Sequence, residues 1–266
     1  SVLATLALSL PLISQAKTSE VTVHVDAALD RPVVPAERDQ NVVVQIKLTP
    51  EVIAGPVERP PVNLSIVLDR SGSMGGEKIR QAILAAEEAL YHLGPQDIVS
   101  VVIYDDQVQT LAPAQRATRE NIAQIRSMLR EVQAGGSTAI YAGLNQAAAE
   151  VRRNRDLAGV NRIVLLSDGL ANAGPSGVGD FAALGRAFAS EDIVVSTVGL
   201  GLGYNEDIMA TLAEAGQGNT YFVENARDLP RIFAGELGDA LNVAATDIEI
   251  IIHTKGGAKI IRGLGR

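Results

Sequence analysis

A change of rhythm after residue 61 constrains this chain more than any other feature. From there on, short apolar runs at residues 62–68, 98–103, 163–166 and 193–200 alternate with segments of helical period. Each run is too apolar for a sheet with one wet face, so these strands are expected to be buried on both faces, as in parallel sheets. Between the first two runs, Ile79, Ala82, Ile83, Ala86, Leu90 and Leu93 recur at helical spacing. Gly94 reads as the glycine just past that helix and Pro95 as its breaker. Further helices are expected at residues 119–132, 140–153, 179–189, 206–215 and 228–243. Strand and helix in alternation imply an α/β fold with a doubly wound, mostly parallel sheet. Composition agrees: 47% of the 266 residues are apolar, yet aromatics are 3% and Trp is absent, so Val, Ile, Leu and Ala must build the core.

The flanks read differently. Val21, Val23 and Val25 alternate with Thr22, His24 and Asp26, and residues 41–48 are rich in β-branched side chains, so both segments are expected as strands. Pro50, Gly55, Pro56, Pro60 and Pro61 then form a linker that suits neither helix nor central strand. Beyond residue 243 the pattern returns to β type at Ile248, Ile250 and Ile252, followed by Gly256, Gly257 and residues 259–262. The expected organisation is therefore a leader remnant at 1–16, an N-terminal β segment and linker at 17–61, the α/β domain at 62–243 and a C-terminal β segment at 244–266. The two β segments would form a partial second β module, read here as incomplete.

Ser1 to Ala16 is apolar, contains Pro11 and ends on the small residues Ser14 and Ala16, as the back half of a secretory signal peptide does. A secreted or envelope-facing, extracytoplasmic location is expected from it. No stretch reaches the roughly 20 apolar residues of a membrane span. Net charge is −8, with 31 acidic against 23 basic residues, so a phosphate backbone would meet repulsion and nucleic acid is excluded as a partner. The densest basic cluster, Arg152, Arg153, Arg155 and Arg162, reads as a solvated helix end. With no cysteine, disulfides, thiolate nucleophiles and Cys-ligated zinc are all excluded.

Chemistry concentrates where apolar runs end. Residues 62–68 lead straight into Asp69, Arg70, Ser71, Gly72 and Ser73; residues 163–166 lead into Ser167, Asp168 and Gly169. A third loop, Gly135, Gly136, Ser137 and Thr138, precedes a helix. In doubly wound sheets ligands bind at the carboxyl ends of strands. Loops offering only Asp, Ser and Thr oxygens there suit a hard divalent cation. The glycines at 72, 75, 76, 135, 136 and 169 are expected to let the backbone bend around it. Two carboxylates with neutral hydroxyls do not saturate such an ion, so a solvent-facing position is expected, with a partner's carboxylate as its natural occupant.

Asp69-x-Ser71-x-Ser73, followed by Thr138 and Asp168, resembles the metal-ion-dependent adhesion site of von Willebrand factor type A domains, bacterial secreted members in particular. The resemblance spans residues 62–243 and implies a Rossmann-like, mostly parallel sheet. It also implies Mg2+ as the usual ion, with Mn2+ or Ca2+ as alternatives, and a protein partner that docks an Asp or Glu on the metal. Arg70 stands where many members carry a small or apolar residue, and Ser137 is the alternative to Thr138 if the alignment slips by one.

Enzyme signatures fail one by one. Gly76 is followed by Glu77 and Lys78-Ile79 rather than the Lys-Ser/Thr of a phosphate loop; Tyr204 stands where a dinucleotide fingerprint needs its third glycine; Ser71 breaks a nucleophile elbow at Ser73. His24, His92 and His253 lie far in sequence from the strand-end loops. The expectation is a binding module and not an enzyme. Two alternatives stay open: a metal-assisted hydrolase, for which Asp105 and Asp106 are the nearest extra carboxylates, and a scaffold module of structural or transport type.

Overall fold

The structure, a computed structural model, describes residues 23–30, 41–50, 60–157, 159–168, 173–200, 205–224, 228, 231–232, 250–254 and 259–261. The chain divides into two compact units: residues Ser1–Glu58 with Val243–Arg266, and residues Arg59–Asn242.

In the first unit β1 (Val23–Leu29) pairs antiparallel with β2 (Val44–Pro50), Val23 opposite Pro50 and Leu29 opposite Val44. Asp30 closes the ladder: its N–H donates to Val43 O at 3.0 Å and its Oδ1 accepts from Val43 N at 2.9 Å. Strand β2 thus begins three residues later than the β-branched run at residues 41–48 suggested, while Val21 and Thr22 lie outside the described residues. Residues 250–254 and 259–261 hold a single bridge, at Ile252. The stretch at 1–16 and nearly all of the helix expected at 228–243 lie outside the described residues.

The second unit runs β3 (Val62–Asp69), α1 (Glu77–Tyr91), β4 (Ile98–Tyr104), β5 (Val108–Arg116), α2 (Arg119–Arg130), α3 (Ile140–Arg152), β6 (Val160–Ser167), α4 (Val178–Ala189), β7 (Ile193–Leu200), α5 (Glu206–Ala215) and β8 (Gln217–Val223). The sheet order is β5-β4-β3-β6-β7-β8, parallel throughout except for the antiparallel β4–β5 pair. This is the doubly wound α/β order: the chain winds outward from β3 to one edge, then returns beside β3 as β6 and winds to the other.

The central strands are buried along their whole length and mostly apolar because both faces are covered. Val67, Val102, Ile163, Leu165, Ile193 and Val195 meet α3, α4 and α5 through Leu144, Val151, Phe181, Phe188 and Leu212. Their alternating neighbours Ile66, Leu68, Val101 and Ile103 are equally buried and point to the other face, as the two-residue period of a strand requires. The helices α1 and α2 pack against each other, with Ala82, Ala86, Leu90, Ile125 and Leu129 buried.

Two expectations need correcting. Helix α1 ends at Tyr91 with His92 as its cap, and Gly94 is not among the positive-φ glycines. Leu93 is therefore a buried loop residue rather than a last helical turn, and Gly94 N donates to Asp97 Oδ2 at 2.7 Å instead of closing the helix. Arg162 does not belong to a solvated cluster, since it sits within β6 and is buried. Arg152, Arg153 and Arg155 do face solvent, paired with Glu191, Glu150 and Asp156.

Candidate metal centre

The carboxyl ends of β3 and β6 are neighbours, because these two strands pair from Val62 opposite Val160 to Leu68 opposite Leu166. They are also the strands at which the winding reverses, the position where doubly wound sheets open a crevice. Asp69 ends β3 and Asp168 follows β6, so residues nearly a hundred positions apart are brought to one place.

Beyond Asp69 the chain turns sharply. Arg70 N donates to Tyr104 O at 2.8 Å, prolonging the β3–β4 ladder by one bond, and Asp69 Oδ1 then accepts Ser71 N at 2.7 Å in a local side-chain turn. A single 3-10 turn, Gly72–Met74, follows; buried Met74 pins it, and Gly76 at φ 77° starts α1. Ser71 and Ser73 face each other, Oγ to Oγ, at 3.1 Å, and Ser73 Oγ donates to Asp168 Oδ1 at 2.7 Å. Ser167 Oγ donates to Asp69 Oδ2 at 2.6 Å. Four of the five expected residues, Asp69, Ser71, Ser73 and Asp168, are thus joined in one hydrogen-bonded chain.

The fifth, Thr138, comes from a loop strapped to the first. Gly72 N donates to Gly136 O at 3.0 Å and Gly135 N to Arg70 O at 2.7 Å. Gly136 has φ +75°, and a Cβ there would lie 2.1 Å from Asp106 Oδ1 and 2.9 Å from Asp105 Cβ, so only glycine lets this loop lie against the β4–β5 turn. Of the six glycines expected to bend the backbone, Gly76 and Gly136 have positive φ; Gly169 lies outside the described residues. Thr138 is buried at 3% exposure whereas Ser137 is exposed, which favours Thr138 as the inward hydroxyl.

Electrostatically the site is under strain. Asp69 is 0% and Asp168 4% exposed. Burial raises the Asp69 pKa above its ordinary 3.8; hydrogen bonds from Ser167 and Ser71 pull it back, and the Asp168 charge adds to the rise. Tyr104, opposite Asp69 in the ladder, is fully buried with no regular hydrogen bond to its hydroxyl. Burial first, then the Asp69 charge, push its pKa well above the usual 10.0. Its ring lies against α3 where Gly143 has no side chain; a Cβ there would meet Tyr104 Cδ1 at 2.9 Å.

Two features were not legible in sequence. Lys78, in the first turn of α1, pairs through Nζ with Asp168 Oδ2. Arg70 Nη2 pairs with Asp105 Oδ2 at 2.8 Å, and Asp105 Oδ1 also accepts Gln107 N at 2.7 Å. No cluster of three or more His, Asp or Glu residues occurs among the described residues. The donor set is therefore two carboxylates with hydroxyls, which fits a hard divalent cation, because each carboxylate oxygen keeps lone pairs beyond the hydrogen bond it accepts.

A six-stranded, doubly wound sheet with buried acids and hydroxyls gathered at its switch point defines a small set of α/β folds. Residues 63–235 match the model of the von Willebrand factor type A domain, and the chain belongs to that family. An uncharacterized protein of Synechocystis sp. is 29% identical over 73% of this chain and 45% of its own length. Among solved structures, a von Willebrand factor type A protein from Catenulispora acidiphila superposes with a TM-score of 0.69 at 18% identity, over 87% of this chain and 52% of that one. Proximal thread matrix protein 1 of the mussel byssus, in a form with a zinc-occupied adhesion-site motif, gives 0.58 at 19% identity, over 69% and 46%. The chain spans about half the length of these proteins or less.

Proposed function

We propose that this chain is a divalent-cation-dependent protein-binding module, not an enzyme, in which Asp69, Ser71, Ser73, Thr138 and Asp168 hold Mg2+. The observation that carries this reading is the pair of buried aspartates at adjacent strand ends, laced together by Ser71, Ser73 and Ser167. Two negative charges buried side by side are costly without a cation between or beside them. When bound, the ion supplies a Lewis-acidic contact for a carboxylate oxygen. The chain's own part is to set the two aspartates, exclude bulk water from Asp69, and present exposed Ser73 at the rim. The proposed occupant of the remaining contact is an Asp or Glu of a protein partner. The zinc-bearing byssus protein lends support by analogy of motif.

Of the two carboxylates a hydrolytic alternative would draw on, Asp105 and Asp106, the first is tied to Arg70, which favours binding over turnover. The apolar, small-residue-terminated stretch at Ser1 to Ala16 supports an extracytoplasmic setting for the module.

Calorimetric titration with Mg2+ tests the site. Wild type binds, Asp69→Ala loses measurable binding while keeping its far-ultraviolet circular dichroism, and Thr138→Ala weakens binding by about tenfold, since water replaces a neutral ligand more readily than a charged one. Unchanged affinity in Asp69→Ala sinks the assignment. Binding to a surface of short peptides, each with one Asp or Glu and paired with its amide counterpart, tests the partner class: capture that persists in excess chelator refutes it.

A further inference from the structure

Asp69 and Asp168 are compensated differently. Both Asp69 oxygens accept from neutral donors, Ser71 N and Ser167 Oγ. Asp168 has one oxygen on Ser73 Oγ and the other on the ammonium of Lys78. The Asp168 side chain is 0% exposed and that of Lys78 is 40% exposed. Lys78 therefore lies along the surface and reaches one buried acid with its tip. A lysine placed so can withdraw into water by rotating its flexible stem, with its charge solvated at the end of the movement. Asp168, which directly follows β6, has a fully buried side chain and no such route into water.

We infer that Lys78 is a resident counter-cation that competes with the divalent ion for Asp168 and so sets the affinity of the site. This rests on the reading that Asp69 and Asp168 hold such an ion. Without metal the ammonium compensates one of two adjacent buried acids and keeps the α1 end attached to the β6 end. With metal, the positive charge on Asp168 comes from the ion, and a second cation at the same carboxylate repels it. The two occupants are thermodynamically linked: whatever free energy Lys78 gains from Asp168 is subtracted from metal binding.

The test is a Mg2+ titration of the full chain as wild type, Lys78→Met and Lys78→Arg, with thermal unfolding of each in chelator and in saturating Mg2+. Lys78→Met keeps the stem and removes the charge. It is expected to bind Mg2+ about five- to tenfold more tightly than wild type, the lower end of typical coupling because the pair is partly solvated. Lys78→Arg keeps the charge and is expected to gain no affinity. In chelator Lys78→Met melts below wild type, and Mg2+ closes that gap. A loss that is merely structural would persist in Mg2+ and would not tighten binding. Lys78→Gln repeats the measurement with a shorter polar chain and guards against misfolding of the first variant. Mg2+ affinity that is unchanged or weaker in both neutral variants, with wild type binding normally, overturns this inference alone. Absence of Mg2+ binding by wild type overturns it together with the metal site.

Discussion

The central sheet carries a fully buried aspartate at each end, and the two are handled in opposite ways. At the amino end, Asp97 Oδ1 accepts Val62 N at 2.9 Å and Oδ2 accepts Gly94 N at 2.7 Å, so both oxygens bind backbone. Nearby, Asn63 Nδ2 donates to Val151 O at 2.8 Å and to Asn161 Oδ1 at 3.0 Å. At the carboxyl end, Asp69 leans on one backbone N–H and one hydroxyl and shares its space with a second acid, Asp168. Burial alone does not separate a structural acid from a functional one. The separation lies in whether the chain itself completes the charge: Asp97 is a splice between β3 and β4, while Asp69 belongs to a pair of like charges.

This contrast is breakable by substitution, and the largest effect belongs to the structural end. Asp97→Ala orphans two backbone N–H groups and is expected to cost ~3 kcal/mol in urea unfolding, with Mg2+ affinity per folded molecule unchanged. A comparable loss of metal binding would erase the distinction between the ends.

Asp69→Asn keeps the side chain's shape and removes its charge. In chelator its stability should differ from wild type by no more than ~1 kcal/mol, in its favour at neutral pH, although it no longer binds Mg2+. The direction follows from the raised Asp69 pKa. The stability tied to the protonated acid is fully present below the unfolded value near 3.8 and is lost as pH rises through the folded value. The wild-type deficit should therefore open on going from acid to neutral pH. Equal unfolding curves at all pH values would mean that burial does not strain Asp69.

The smallest effect is expected away from both ends. Arg152 and Glu191 form a two-pronged pair at 2.6 and 2.8 Å between α3 and the turn that follows α4. The hydrogen bond from Arg152 lowers the Glu191 pKa from its usual 4.5, so this contribution is present above that value and fades as pH falls through the folded one. Because both side chains are partly exposed, Arg152→Ala should cost only ~0.5 kcal/mol, a loss that vanishes in high salt. A loss as large as that of Asp97→Ala would show that surface pairs matter here as much as buried ones.

The parts of the fold that sequence revealed are those buried on two sides. Runs such as residues 98–103 are mostly apolar because both faces are buried, so their pattern needs no knowledge of neighbours. The edge strands β5 and β8 escaped because each has a half-exposed, mixed pattern, and β5 carries Pro113 where its pairing with β4 shifts register. Helix α1 was read two residues too long because Leu93 is buried like a helical residue while belonging to the following loop. At the candidate site, Asp69, Ser71, Ser73, Thr138 and Asp168 stood out because strand ends and residue type mark them locally. The tie of Lys78 to Asp168 spans 90 residues, and that of Ser167 to Asp69 spans 98, distances at which sequence spacing says nothing about contact.

Pairing β3 with β6 has a kinetic consequence. That ladder closes a loop of about a hundred residues, a contact whose entropic cost must be met before any benefit returns, so it belongs among the slow steps of folding. Until it forms, the acids at the two strand ends are strangers in a flexible coil. An ion that needs both can recognise only a chain that has already docked its two halves. Such a ligand lengthens the lifetime of the native state by slowing its departure, and leaves the rate of arrival as it was.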